Sequence, residues 1–225
     1  MADVLALIPA YEEGPRVAGV VLGARALLPV LVVDDGSPDD TTAQAESAGA
    51  TVLAQRPNQG KGAALRAGFR WALARDVDAV VTLDADGQHD PAEIATFLDA
   101  FERTEADLII GRRDFAQMPP VRRLANRLGG LAISWAAGRD IPDNQSGFRL
   151  LSRRLIEAVA TSDEAGFEYE IEMITTCIRA GFRLEWVPIR TIYAGEPSHI
   201  RPWRHFMSFV RMVRATRRAV RTPLA

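Results

Sequence analysis

Three features of the chain predict an α/β fold with a mostly parallel central sheet flanked by helices in a single domain. Short apolar runs without internal polar alternation recur at 4–9, 30–33, 50–54, 79–83 and 107–111, the pattern of strands buried on both faces. Stretches of helical spacing lie between them, the order that joins parallel strands by crossover helices. Polar and glycine residues gather where the runs stop, and ligands of such sheets bind beyond the C-terminal ends of the strands.

Val4 to Pro9 is the first strand, and Gly14 to Leu27 a helix with Val17, Val20, Val21 and Ala24 at helical spacing. Val30 to Val33 is the second strand, closed by Asp34-Asp35-Gly36-Ser37-Pro38. Asp39 or Asp40 can cap a helix through Ser47, which Gly49 ends. A third strand at 50–54 and the loop Asn58-Gln59-Gly60-Lys61-Gly62 lead into a helix over 63–74. The fourth strand, 79–83, runs into Asp84-Ala85-Asp86-Gly87-Gln88-His89. Pro91 starts a helix through Arg103, and 107–111 is the fifth strand. The second half is less regular: a helix over 121–137, the polar loop Asp143 to Arg149, a helix over 168–180 stopped by Gly181, and an extended run over 184–192.

The 225 residues, 48% of them hydrophobic, suffice for one sizeable core. The net charge of −2 excludes a globally basic nucleic-acid binder, and no nucleic-acid partner is expected. One cysteine, Cys177, leaves no disulfide framework or cysteine zinc site. The start lacks a basic n-region, so no signal peptide is expected. No uncharged apolar run approaches the roughly 18–20 residues of a spanning helix. From Pro197 onward the chain carries seven arginines and no acidic residue. Trp203, Phe206, Met207, Val210 and Val213 share a helical face, and Arg204, Arg211 and Arg218 another. A basic amphipathic helix of this kind lies on a membrane interface, docks on a partner, or packs on its own domain.

Asp84 and Asp86 share one side if the chain stays extended beyond the fourth strand. With the Gln88 amide nearby, these hard oxygen donors suit Mg²⁺ or Mn²⁺; the same residues also make an ordinary surface turn. Gly60-Lys61-Gly62 is neither a Walker A sequence, since Ala63 follows, nor a dinucleotide fingerprint, since Leu65 takes the third glycine's place. It reads as a tight turn opening a helix, at the same edge of the sheet. His89, His199 and His205 lack zinc spacing, and Ser37 and Ser146 lack a nucleophile-elbow context. Arg112, Arg122, Arg123 and Arg149 are solvated or structural charges taken singly; gathered at one metal site they would clamp a diphosphate.

The ordered set Ile8-Pro9-Ala10-Tyr11-Glu12-Glu13, Val32-Val33-Asp34-Asp35-Gly36-Ser37-Pro38-Asp39, Asn58 to Gly62, Leu83 to His89, Gly111-Arg112-Arg113, Gln145 to Arg149 and Phe167-Glu168-Tyr169-Glu170 resembles the family 2 glycosyltransferases of the GT-A (Rossmann-like) fold, in the branch of dolichol-phosphate mannosyltransferase and related polyprenyl-phosphate sugar synthases. The resemblance spans roughly residues 4–200. It implies a GT-A domain over 1–196 followed by a basic amphipathic segment over 197–225. It implies that Pro9, Tyr11, Glu13, Val33 and Asp35 hold the donor's base and ribose. Asp84, Asp86 and Gln88 would hold Mg²⁺ or Mn²⁺ on the donor diphosphate, with Ala85 at the nucleotide. Arg112 would face the donor or acceptor phosphates, and Arg123 or Arg122, Ser146 and Arg149 would lie near the acceptor. His199 stands where dolichol enzymes carry a lysine, so phosphate binding is not carried over there; Arg201 is the alternative.

The activity so implied is inverting transfer of a sugar from a GDP-mannose or UDP-glucose type donor to polyprenyl phosphate. A phosphate monoester, with a second pKa of about 6, is largely a dianion near neutral pH and needs no strong base. Neither the Glu-Asp base pair nor the Gln-Arg-Trp-type motif of hydroxyl-glycosylating relatives is found; Asp143 is the candidate base otherwise. A lipid acceptor implies a cytoplasmic protein on the inner face of the membrane, held there by its own tail or by a membrane protein. The rival expectations are a soluble or cell-surface glycan acceptor and a non-catalytic GT-A module that recruits partners. A nucleotidyltransferase lacks its glycine-rich signature and N-terminal lysine.

Overall fold

A computed structural model describes residues 2–114, 120–161, 168–190, 192 and 202–221, without the side chains of 120–122, 124–125 and 202–208. The strands β1 (Val4–Ala10), β2 (Val30–Asp34), β3 (Thr51–Ala54), β4 (Ala79–Thr82), β5 (Leu108–Arg113), β6 (Arg149–Ser152) and β7 (Leu184–Ile189) form one sheet in the order β3-β2-β1-β4-β6-β5-β7. Neighbours are parallel except at β6, which runs antiparallel to both β4 and β5. The helices are α1 (Gly14–Arg25), α2 (Thr41–Ser47), α3 (Lys61–Leu73), α4 (Ile94–Thr104), α5 (Pro120–Ala137), α6 (Arg153–Val159), α7 (Glu168–Arg179) and α8 (Pro202–Arg221).

Alternation along the strands assigns side chains to two cores. Ala6, Ile8, Val30, Val32 and Val81 face α1 and α4, with Phe97 fully buried among them. Leu5, Leu7, Leu31, Val33 and Val80 face the opposite layer, where Phe69 of α3 and Ile174 of α7 complete the core. The two-residue period of a strand produces this division. Burying a side chain of that size contributes about 1.5–3 kcal/mol relative to exposure. Helix α3 lies directly on β1: a Cβ at Gly68 would come 2.3 Å from Leu7 Cδ1, so only glycine admits this approach.

The apolar face of α8 is turned inward. Phe209, Met212 and Val213 pack against the second core, and Thr216 is buried. The junction at 196–197 falls outside the described residues, as do His199 and Arg201.

Two elements depart from the sequence expectation. Leu150-Leu151 belongs to β6, an antiparallel strand between two parallel ones. Its buried residues are those of any short strand, and direction leaves no mark on Arg149-Leu150-Leu151-Ser152. Helix α6 follows at once, capped by Ser152, whose hydroxyl accepts from Leu155 N at 3.3 Å. Asp40, expected as a cap of α2, makes no side-chain cap bond; Asp39 instead accepts from the Thr41 backbone and hydroxyl.

Candidate active site

The parallel strands end at one edge, in register. Ala10 pairs with Asp34 across β1 and β2, and Leu7 with Thr82 across β1 and β4. The antiparallel β6 starts at that same edge, bringing Gly147 beside the end of β4: Thr82 Oγ1 donates to the Gly147 carbonyl at 2.8 Å. Residues from 9–13, 35, 58–64 and 84–86 meet around a cavity of about 440 Å³, within the usual range for a small-ligand site.

Seven of the expected donor residues line that cavity: Pro9, Tyr11, Glu13, Asp35, Asp84, Ala85 and Asp86. Val33 does not; its side chain is fully buried in the core. The two oxygens of Asp35 accept from Gln59 N at 2.9 Å and Gly60 N at 2.6 Å. Asp35 therefore also shapes the 58–60 loop. Gly60 takes φ +94°, a conformation open chiefly to glycine, and its turn delivers Lys61 as the first residue of α3. Glu13 is held by Arg16 Nε at 2.6 Å, and its backbone N–H donates to Thr41 Oγ1 at 2.9 Å.

Lys61 is the central charge of the site. Its Nζ lies 2.6 Å from Asp84 Oδ1 and 2.8 Å from Glu170 Oε1. His89 Nε2 stands 3.7 Å from Asp84 Oδ2, with its ring 5.3 Å from that of Phe148. Burial alone would push the Asp84 carboxyl up, but the Lys61 ammonium and His89 hold it far below the usual carboxylate range. Asp86 behaves oppositely. Burial raises its carboxyl, the bond from Gln88 N at 2.9 Å only partly offsets this, and the Asp84 charge raises it further.

Among the described residues, no three His, Cys, Asp or Glu side chains are arranged to hold a metal ion by themselves. Four carboxylates line the cavity, Glu13, Asp35, Asp84 and Asp86; Asp84 and Asp86 stand two residues apart beyond β4, and Asp86 is one whose negative charge a cation would stabilise. Mg²⁺ and Mn²⁺ are commonly held by one or two carboxylates plus substrate phosphates, so the residues fit a cation completed by a donor diphosphate. The third expected ligand, Gln88, is half-buried and outside the cavity lining; its carbonyl accepts from Ile192 N at 2.9 Å.

The acceptor-side expectations fare differently. Arg149 is 1% exposed and donates to the carbonyls of Ser146 at 2.8 Å, Glu170 at 2.5 Å and Asn144 at 3.4 Å. It clamps the 143–147 loop from beneath instead of facing an acceptor, because a buried guanidinium needs every partner it can reach. Ser146 is likewise fully buried. Asp143, the candidate base, is gripped by Arg113 through Nε at 2.7 Å and Nη2 at 2.9 Å. Arg112 stands exposed at the end of β5, and Arg123 is half-buried on α5; neither lines the cavity. The Arg122 side chain lies outside the described residues. Sequence reasoning missed the joint role of Lys61 and Glu170. Both sit in the quoted motifs, but nothing in a linear sequence shows that one ammonium serves carboxylates from two of them.

Residues 6–160 match the family described as Glycosyl transferase family 2. A polyprenol monophosphomannose synthase of Mycolicibacterium smegmatis is 35% identical over 201 residues, covering 82% of this chain and 76% of that protein. An undecaprenyl-phosphate mannosyltransferase of Micrococcus luteus is 34% identical over 201 residues, covering 83% and 82%. Among solved structures, glucosyl-3-phosphoglycerate synthase of Mycobacterium tuberculosis, in complex with Mn²⁺, UDP and glucosyl-3-phosphoglycerate, aligns with TM-score 0.69 at 24% identity, covering 96% of this chain and 78% of that one. The fold is thus GT-A, and the chain belongs to glycosyltransferase family 2. It is a nucleotide-sugar-dependent glycosyltransferase.

Proposed function

We propose that the protein is an inverting, metal-dependent transferase that moves a sugar from a nucleotide donor to polyprenyl phosphate at a membrane surface. The observation that carries this reading is the state of the site's carboxylates. Asp143 is held by Arg113, and Asp84 and Glu170 share Lys61. The oxygens of these carboxylates are engaged by cations, and the Lys61 ammonium and His89 hold the Asp84 carboxyl below the usual carboxylate range, whereas an acceptor phosphate near neutral pH arrives already ionised. The names of the two relatives agree with such an acceptor.

Pro9, Tyr11, Glu13 and Asp35 would form the wall for the donor's base and ribose. Asp84 and Asp86 would hold Mg²⁺ or Mn²⁺, with Gln88 as the further ligand expected from sequence. Such a cation supplies Lewis-acid neutralisation of the charge on a departing nucleoside diphosphate. The cavity presents the donor at the strand edge, and attack on the anomeric carbon from the side opposite the diphosphate inverts configuration. Arg112 and Arg123, expected from sequence to meet phosphates, would act from outside the cavity lining.

The membrane side has structural support. Leu128, Leu131 and Trp135 of α5 are 58%, 67% and 61% exposed, with spacings of three and four that place them on one face. Arg217 of α8 lies over the Trp135 ring, 3.7 Å from its centroid, and donates to the Trp135 carbonyl at 2.7 Å. An apolar stripe edged by arginine and tryptophan suits an anionic interface. No helix among the described residues is long and apolar enough to cross a membrane, and this surface supports peripheral attachment, which at the inner face would meet a cytoplasmic nucleotide sugar.

The test is incubation with radiolabelled GDP-mannose or UDP-glucose, polyprenyl phosphate and Mn²⁺. Label appearing in the organic phase with one donor is expected. No organic-phase label with any nucleotide sugar would overturn the reading.

A further inference from the structure

Four separate stretches of chain converge on one ammonium group. Lys61 opens α3, Asp84 follows β4, Gly147 precedes β6, and Glu170 lies in the first turn of α7. The Glu170 side chain is 5% exposed, and its backbone carbonyl is fixed by Arg149. Across the ammonium, a Cβ at Gly147 would lie 2.6 and 2.9 Å from the Asp84 carboxylate oxygens and 2.9 Å from Lys61 Nζ. Asp84 is thus bounded by Lys61 on one side and by bare backbone on another. A lysine ammonium has three donors, enough to bind both carboxylates at once. An exposed pair of this kind contributes little; here both carboxylates are largely removed from water.

We propose that Lys61 and Glu170 are positioning residues for the transfer reaction. The ammonium ties Asp84 to α7 and holds its carboxylate at the wall of the cavity where the donor diphosphate binds. This inference rests on the reading of Asp84 as part of the donor site. Glu170 does not line the cavity, so it acts through Lys61. The two motifs left without a chemical role, around Gly147 and Glu170, acquire one: Gly147 leaves room for the ion pair, and Glu170 anchors it.

The experiment is calorimetric titration of UDP and of GDP, each with Mn²⁺, into the full chain. The variants are Asp84→Asn, Lys61→Met, Lys61→Arg, Glu170→Gln and the double Lys61→Met/Glu170→Gln, with melting temperatures measured in parallel. Lys61→Met strands a buried carboxylate and risks unfolding; the double variant removes that charge and preserves the test. Outer partners of metal-binding carboxylates typically change affinity by about 10–100-fold. A loss of that size is expected in Glu170→Gln and in the double variant, with the double no worse than the weaker single and Lys61→Arg partly recovered. A double variant that binds as wild type would reduce the pair to a device of the fold. Weak binding in Lys61→Met beside wild-type binding in Glu170→Gln would make Lys61 a direct phosphate contact and overturn the positioning role. Unchanged binding in Asp84→Asn would overturn the donor-site reading itself; weak binding there, with every Lys61 and Glu170 variant intact, would overturn only the positioning.

Discussion

Gly147 stands so close to Asp84 that a Cβ on it would lie 2.6 Å from Asp84 Oδ2. The Gly147 carbonyl is tied to Thr82, so the backbone cannot retreat without breaking a buried hydrogen bond. Gly147→Ala is therefore expected to displace the Asp84 carboxylate while leaving the sheet intact. Misplacement of a binding group by about 1 Å can lower a rate on the order of 100-fold. Steady-state kinetics should show that loss in kcat/KM, with far-UV circular dichroism unchanged.

Asp86→Asn is expected to remove metal-dependent activity at every Mn²⁺ concentration. Asp86 is the cavity carboxylate that has a single backbone amide as its hydrogen-bond partner among the described residues, and the amide isostere removes its charge at almost constant shape. Retained turnover would remove Asp86 from the metal site. Its effect on melting should be small or stabilising, because its carboxyl is raised by burial in the absence of a cation.

Arg149→Met should act on stability first. The substitution strands the carbonyls of Ser146, Asn144 and Glu170, at a cost on the order of 3 kcal/mol. For a chain of this size that corresponds to a fall in Tm of about 6–12 °C. A melting curve that matches wild type, with a raised KM for the acceptor, would return Arg149 to the acceptor role expected from sequence.

Acid should weaken the protein partly through Asp107. Burial opposes ionisation of this carboxyl, but hydrogen bonds from Arg154, the Arg183 N–H and Ser152 prevail and hold its pKa below the usual value. A carboxyl with a lower pKa folded than unfolded stabilises above the unfolded value of about 3.9 and loses that contribution as pH falls through the folded one. Melting of Asp107→Asn should consequently depend less on pH below about 4 than wild type does. At the other end of the range, burial pushes the Cys177 thiol up to about 12. The native protein should leave a thiol reagent unconsumed at pH 8, and the denatured protein should consume one equivalent.

The periodicity of apolar residues made the layer order and the edge that carries the site legible, because a two-residue alternation and strand ends are local properties. Asp35, Asp84 and Asp86 were legible for the same reason: each follows a buried run. Direction and pairing were not. Nothing local distinguishes the antiparallel β6 from a parallel strand, yet β6 is what carries Gly147 to Asp84. Arg149 braces three carbonyls, and nothing in the sequence distinguishes such an arginine from one that faces a phosphate. Lys61 follows the Gly60 turn as the first residue of α3, as the loop pattern indicates; its ion pair with Glu170, 109 positions away by the numbering of the two residues, leaves no local signal. Of the residues that the sequence pattern places on the apolar face of α8, Val213 packs on the second core, joined there by Phe209 and Met212, which that pattern does not name; the exposed stripe belongs to α5.

The most direct test compares two acceptors that differ in one group. With the donor that supports turnover, polyprenyl phosphate and the matching free polyprenol are presented in the same vesicles, and product is measured in the organic phase. Transfer to the phosphate and none to the alcohol is the expected result, since the alcohol needs a base, Asp84, Asp143 and Glu170 are each paired with a cationic side chain, and Asp86 is assigned to the metal. Comparable transfer to the alcohol would contradict the central claim that the acceptor brings its own ionised nucleophile.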